Sequence, residues 1–199
     1  DESGCTPEVL ERAESLGCLL PYKIGARLLE KWGVPLSRSQ LGVLSYSFEK
    51  TQQELSESKL KELSEQPLAQ TQPLQALQPP RIWMLEIDGV FVPTRDAEQA
   101  EGTGVGKTIY REVKSAVLYK KNTPSERYQI SVLREVEGFI PLVHGLLRLA
   151  GVTHSDKLIG LSDGAVWIAN LFDGLGVYQH ILDVFHASQY LERVMLGLG

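Results

Sequence analysis

Cysteine is scarce. The two present, Cys5 and Cys18, cannot build a disulfide framework or complete a four-ligand zinc site, so they read as small apolar residues. Long hydrophobic runs are also missing. No stretch approaches the roughly 18 apolar residues a membrane-spanning helix needs, and no basic-then-apolar leader opens the sequence. The expectation is a protein with no membrane partner, in the cytosol by default. Nor is there an excess of positive charge: 20 Lys and Arg stand against 25 Asp and Glu, a net −5. That balance excludes a nucleic-acid surface spread over the whole chain, so any DNA contact needs a local patch. With 43% hydrophobic and 23% charged residues, 199 residues suffice for one good core, or a core with a small accessory unit.

Residues 1–50 read as helical. "TPEVLERAESLGCLL" spaces Val9, Leu10, Ala13, Leu16 and Leu20 helically, with Thr6 as N-cap and Pro7 in the first turn. "YKIGARLLEKW" sets Ile24, Leu28, Leu29 and Trp32 on one face before Gly33 stops it, and Ser37 offers the next cap. Two helices about a glycine-containing turn are compatible with a helix-turn-helix, and equally with plain packed structure. Glutamines and prolines gather over 51–80, which reads as a solvated helix running into an extended Gln/Pro-rich linker. From 81 the period becomes that of strands. "RIWMLEIDGVFVPT" alternates Trp83, Leu85 and Ile87 with Met84, Glu86 and Asp88; "TIYREVKSAVLYKK" and "ERYQISVLRE" are the next two runs. "EGFIPLVHGLLRLAGV" is helical through Phe139, Leu142, Val143, Leu146, Leu147 and Ala150. Strand "KLIGLSDG", helix "AVWIANLF", strand "QHILDVF" and helix "HASQYLERVML" complete the chain. The fold class predicted for 81–199 is α/β: a mixed sheet, order β-β-β-α-β-α-β-α, covered by helices.

The stretch "GTGVGKT", Gly102–Thr108, resembles a phosphate-binding loop, but a Walker A motif needs glycine where Glu101 stands. Its context fails as well. The residues after it form a β run, so no helix N-terminus is offered to a phosphate. A hairpin tip is the better reading, and a nucleotide hydrolase is correspondingly disfavoured.

The carboxylates carry more. Asp88 is read at the end of the first strand and Asp163 at the end of the fourth, 75 residues later. If the fourth strand lies parallel beside the first, both aspartates meet at one edge of the sheet. Two close carboxylates call for a neutralising cation, and Mg²⁺ or Mn²⁺ accepts such oxygens. Taken singly, each has a plainer reading: Asp88-Gly89 as a turn dipeptide, Asp163 or Ser162 as a helix cap.

The blocks "EIDGVFVPTR", "YREVKSAVLYKK", "LSDGAVWIANLF" and "ILDVFHASQYLERV", in that order, resemble bacterial insertion-sequence transposases of the ISKra type, over roughly Arg81–Met195. The resemblance implies the DDE group with an RNase H-like catalytic domain, and "GCLLPYKIGARLLEKWGVPLSRSQL" looks like the region ahead of it. It implies DNA as partner (transposon ends and target), a two-metal Mg²⁺ or Mn²⁺ site, a bacterial cytoplasm, and a full-length protein whose oligomeric state stays open. Asp88 and Asp163 would be the first two catalytic, metal-holding carboxylates. Asp183-Val184-Phe185-His186 looks like the C/D-x-x-H element of related transposases; there His186 would orient the site or touch DNA, and a helix-start histidine packed into the core stands beside that. Trp167 reads as core, and Arg111 and Lys114 as solvated strand residues. The family's third carboxylate, a glutamate, lies well downstream after a helical insertion. Glu192 is the late-helix candidate here, although it matches the family's pre-insertion segment. The expectation is a truncated DDE transposase fragment, inactive or nearly so alone. The alternative is a non-catalytic DNA- or protein-binding module derived from a transposase.

Overall fold

The computed structural model describes residues 6–69, 79–95 and 108–197. The chain divides into two compact units, Asp1–Ser58 and Lys59–Gly199. The "GTGVGK" segment, most of the Gln/Pro-rich stretch and Cys5 lie outside the described residues.

Three helices build the first unit: α1 (Pro7–Leu19), α2 (Tyr22–Lys31) and the leading part of α3 (Arg38–Ser64). Pro7 opens α1, where its missing N–H costs nothing. Gly33, at φ +81°, takes the left-handed conformation that ends α2. Ser37 caps α3 as its sequence suggests. Its N–H donates to Gln40 Oε1 (2.9 Å), and its Oγ accepts from Gln40 N–H (3.2 Å), a reciprocal capping box. The core is small: Ala13, Leu29 and Leu41, flanked by Leu16, Ala26, Val34 and Leu36. Of the apolar face read on α2, Leu29 is fully buried and Leu28 partly so, whereas Ile24 and Trp32 are about half exposed. The packed side turns toward Gly25, where a Cβ would stand 2.9 Å from Leu41 Cδ2. The missing side chain there lets Leu41 come close beside Leu29.

The second unit is a mixed α/β fold around five strands: β1 (Ile82–Arg95), β2 (Thr108–Lys120), β3 (Thr123–Val132), β4 (Lys157–Ser162) and β5 (Gln179–Leu182). Interleaved are α4 (Val136–Leu149), α5 (Val166–Leu175) and α6 (Val184–Gly197). The spatial order is β3-β2-β1-β4-β5. β1–β2 and β2–β3 pair antiparallel, while β4 lies parallel to both β1 and β5. One sheet face carries Trp83, Leu85, Ile87, Ala116 and Leu118, all buried, and α4 and α5 contribute Phe139, Val143, Leu146, Ile168 and Phe172 to the same core. Each such large side chain contributes roughly 1.5–3 kcal/mol. Close contacts require glycine twice. A Cβ on Gly145 of α4 would meet Leu60 O at 2.0 Å, and one on Gly160 of β4 would meet the Phe172 ring at 2.5 Å.

β1 and β4 are fastened at their start by a fork-on-fork pair. Arg81 Nε and Nη2 donate to Asp156 Oδ1 (2.8 Å) and Oδ2 (2.6 Å), and Nη2 also reaches Gly151 O (2.9 Å). Burial pushes the Asp156 carboxyl up. The Arg81 hydrogen bonds and charge, with bonds from the Thr153 N–H and hydroxyl, outweigh this and hold it below its ordinary value. Among the described residues no helix is long and apolar enough to cross a membrane.

Candidate active site

The parallel register decides what the aspartates do. Ile82 pairs with Lys157 and Glu86 with Leu161, a constant offset along β1 and β4. Carried two residues further, that offset sets Asp88 level with Asp163. The β4–β5 register, Ile159 with Gln179 to Ser162 with Leu182, carried one residue further sets Asp163 level with Asp183. By that extension, Asp88 within β1 and the first residues past β4 and β5, Asp163 and Asp183, fall at level positions on adjacent parallel strands. All three line one cleft of about 490 Å³, with Glu86, Ser162, Leu182 and His186 among its other walls.

Asp88 does not sit at a strand end: β1 continues to Arg95, and Asp88 faces Ser115 on β2. The β1–β4 pairing stops at Glu86, so Asp88 is where the sheet opens on its β4 side. The turn reading of Asp88-Gly89 falls, because Gly89 is an in-strand residue paired with Lys114. Asp88 Oδ1 accepts from Gly89 N–H (2.8 Å).

Asp163 is the first residue past β4. Its Oδ1 accepts from Ala165 N–H (2.8 Å), and Ser162 Oγ accepts from Gly164 N–H (3.1 Å). These bonds shape the turn into α5, although the helix's own N-cap, Ala165, has no side-chain cap. Asp183 anchors the start of α6: Oδ1 accepts from Phe185 N–H (2.7 Å), and Oδ2 lies 3.3 Å from His186 Nδ1. His186 is therefore tied to Asp183 at the cleft, not packed into the core. Glu192, exposed on α6, is not among the described residues lining the cleft.

Glu86 is the site residue that sequence reasoning passed over. It shares Asp88's outward face two positions earlier, and its Oε1 accepts from Tyr119 Oη at 2.5 Å. Burial, then the Glu86 hydrogen bond and charge, push the Tyr119 phenol up to about 12. The period-2 alternation already put Glu86 beside Asp88; what it lacked was the partner across the sheet.

The expectation of a solvated Lys114 is overturned. Only 3% of this side chain is exposed; Nζ is 2.6 Å from Glu112 Oε2 and 5.6 Å from the Trp167 ring centre. The reason is alternation: Lys114 precedes Ala116 and Leu118 on the inward face of β2. Gly89 opposite leaves room for Glu112, whose Oε1 a Cβ there would approach to 2.2 Å. A buried cation survives only when paired, and Glu112 supplies the charge. Arg111 is exposed, as read. Trp167 is partly buried, edge-on to Phe139 with ring centres 6.0 Å apart.

Asp88 and Asp163 both offer hard oxygen donors, each with one oxygen accepting from a backbone N–H. Among the described residues no group of three His, Cys, Asp or Glu is arranged to hold a metal ion. Strand geometry explains this, since Asp88 and Asp183 are two strands apart, roughly 10 Å between backbones. A two-carboxylate arrangement is still the kind Mg²⁺ uses, with water and substrate phosphates completing the shell. The residues therefore fit a cation held by a pair of neighbours in the row better than a closed cage. A phosphate-loop reading finds no support on the described side of the motif, because Thr108 begins β2 and not a helix. No protein-family model matches the chain, and neither a curated protein nor a solved structure does.

Proposed function

We propose that the sheet unit performs divalent-cation-dependent phosphodiester chemistry on DNA, as an RNase H-like core of the DDE transposase kind. The observation that carries this reading is the level row Asp88, Asp163, Asp183 at the edge where the β1–β4 and β4–β5 pairings end. Asp88 and Asp163 would hold Mg²⁺ or Mn²⁺. When bound, such ions supply Lewis-acid activation of a water or 3′-hydroxyl and stabilisation of the leaving oxygen. The protein's own residues provide the rest. β1 carries Asp88, and the turns after β4 and β5 carry Asp163 and Asp183. The bonds from the Gly89 and Ala165 amides orient the first two carboxylates, and Asp183 holds His186 at the rim, where it can meet a phosphate or a nucleotide.

A second reading, a non-catalytic DNA- or protein-binding module, is favoured by one observation, the absence of a three-group metal cluster among the described residues. Mn²⁺ titration followed by electron paramagnetic resonance separates the two. Saturable binding that is lost in Asp88→Asn and in Asp163→Asn supports the cation site; no binding by the wild-type chain supports the module. If Mn²⁺ binds, nicking of transposon-end DNA, expected weak and abolished by either substitution, tests the chemistry itself.

A further inference from the structure

A second set of groups, beginning with Ser162 in the wall of the same cleft, converges on the turn that carries Asp163. Ser162 ends β4 with only 4% of its surface exposed. Its Oγ accepts from Gly164 N–H (3.1 Å) and lies 2.8 Å from His180 Nε2. Because the Gly164 N–H occupies an acceptor position on Oγ, the hydroxyl proton can go to His180, whose ring then carries its own proton on Nδ1. His180 belongs to β5 and pairs with Gly160. Its ring stands edge-on to Phe172 of α5, centres 4.9 Å apart, and Phe172 occupies the space that Gly160's missing Cβ leaves. The chain of contacts runs α5, β5, β4 and back to the turn. It ends on Gly164, the residue after Asp163, which adopts φ +89°.

Two hydrogen bonds therefore bracket Asp163 from either side. Ser162 Oγ holds the Gly164 amide, while Asp163 Oδ1 itself holds Ala165 N–H. Strand pairing cannot do this, because β4 ends at Ser162 and Asp163 has left the ladder. We propose that Ser162 and His180 are positioning residues for Asp163: His180 fixes the Ser162 hydroxyl, the hydroxyl fixes the Gly164 amide, and the turn thereby aims the Asp163 carboxylate into the cleft. The proposal rests on the reading of Asp163 as a cation-holding carboxylate. Groups of this kind, one step removed from a metal ligand, change affinity when lost although they never touch the ion.

The full chain is tested as wild type, Ser162→Ala, His180→Leu, His180→Gln and Asp88→Asn. Mn²⁺ affinity is read by electron paramagnetic resonance, and protection of the Gly164 amide by hydrogen exchange without metal. Ser162→Ala and His180→Leu are expected to weaken Mn²⁺ binding about tenfold, and both should speed exchange at Gly164. His180→Gln, which keeps an acceptor near the Nε2 position, should restore most of both. Asp88→Asn should lose the metal and keep the amide protection. His180 is exposed, so His180→Leu decides the matter should Ser162→Ala fail to fold. Wild-type-like Mn²⁺ affinity in His180→Leu overturns the positioning role and leaves the cation site standing, and so does reduced affinity with unchanged Gly164 exchange. A wild-type chain that binds no Mn²⁺ overturns the cation reading first, and this proposal with it.

Discussion

The helical unit closes over three buried apolar side chains, Ala13, Leu29 and Leu41, whereas the sheet unit buries a continuous core from Trp83 and Leu85 through Phe139 to Phe172. The contrast is one of contact range. Helices satisfy their backbone locally, so α1 to α3 form with little burial and leave Leu19, Trp32, Val43, Tyr46 and Leu55 more than half exposed. A sheet exists only when distant segments pair, and that demand delivers side-chain positions fixed to a fraction of a strand spacing. The aspartate row is a by-product of such pairing. The clamp Arg81–Asp156 and the pair Asp88–Asp163 both share the offset that runs Ile82–Lys157 to Glu86–Leu161.

The largest expected difference comes from truncating each core. Phe139→Ala, at a site enclosed on every side, should cost the sheet unit about 3–5 kcal/mol. Leu41→Ala, in a core thin enough to relax around the gap, should cost nearer the low end of the Leu→Ala range, about 2–3 kcal/mol. Urea unfolding followed by circular dichroism measures both. Equal losses would break the comparison, because they would mean that the small core is as constrained as the large one.

Glycine substitution sharpens the same contrast. Gly145→Ala drives a Cβ into the Leu60 carbonyl, a backbone atom that cannot step aside, and a loss of about 2–3 kcal/mol is expected. Gly17→Ala meets mainly the Ser45 hydroxyl, a buried group without a hydrogen-bond partner, at 1.9 Å. Rotation of that hydroxyl relieves the closest contact, Ser45 Cβ at 2.9 Å must still give way slightly, and alanine's helix propensity returns about 1 kcal/mol. Gly17→Ala should therefore cost clearly less than Gly145→Ala, and a thermal melt in which it falls as far would mean that the helical unit is as rigid there as the sheet unit.

A smaller effect with a pH signature belongs to the clamp. Asp156 is held below its ordinary value, so it contributes stability above about pH 4, lost as the pH falls through the lower value of the folded state. Asp156→Asn should cost about 1–3 kcal/mol at pH 7, and the gap to wild type should narrow as both are unfolded at progressively lower pH. A gap that stays constant with pH would mean that shape, not charge, fastens β1 to β4.

How much of this the sequence carried depends on the same distinction of range. Alternation of Trp83, Leu85 and Ile87 with Glu86 and Asp88 located β1 and its two faces, because a period of two is a local property. The helical spacing of Phe139, Leu142, Val143 and Leu146 located α4 in the same way. The meeting of Asp88 and Asp163 follows from strand order, one step beyond local pattern, whereas Asp183 and His186, which share their cleft, are pointed to by the resemblance alone. Partners joined by no pattern stayed hidden: Asp156 for Arg81, His180 for Ser162, Tyr119 for Glu86, and Trp167 with Glu112 around Lys114. Lys114 was misread because a cation is normally solvated, although its place in the β2 alternation already pointed inward. On α2 the spacing places Leu29 in the core, but apolar character at Ile24 and Trp32 says nothing about whether Gly25 lets a neighbouring helix come closer.

The partnership of Tyr119 with Glu86 gives the finest test. Tyr119 titrates only near 12, because burial and the Glu86 carboxylate both oppose its ionisation. A folded-state value above the ordinary one of about 10 means that the contact supports the fold fully below pH 10 and stops doing so as the pH rises through 12. Tyrosinate absorbance near 295 nm should accordingly show a late titration step that diminishes in Tyr119→Phe. Glu86→Gln removes the charge and leaves a hydrogen-bond acceptor, so it should move that late step back toward about 10 without abolishing it. Should the late step survive Glu86→Gln unchanged, burial alone holds the phenol, and Glu86 stands at the cleft unanchored by Tyr119. Should it move, the cleft's fourth carboxylate is fixed by a partner from β2, as its three aspartates are fixed by backbone amides.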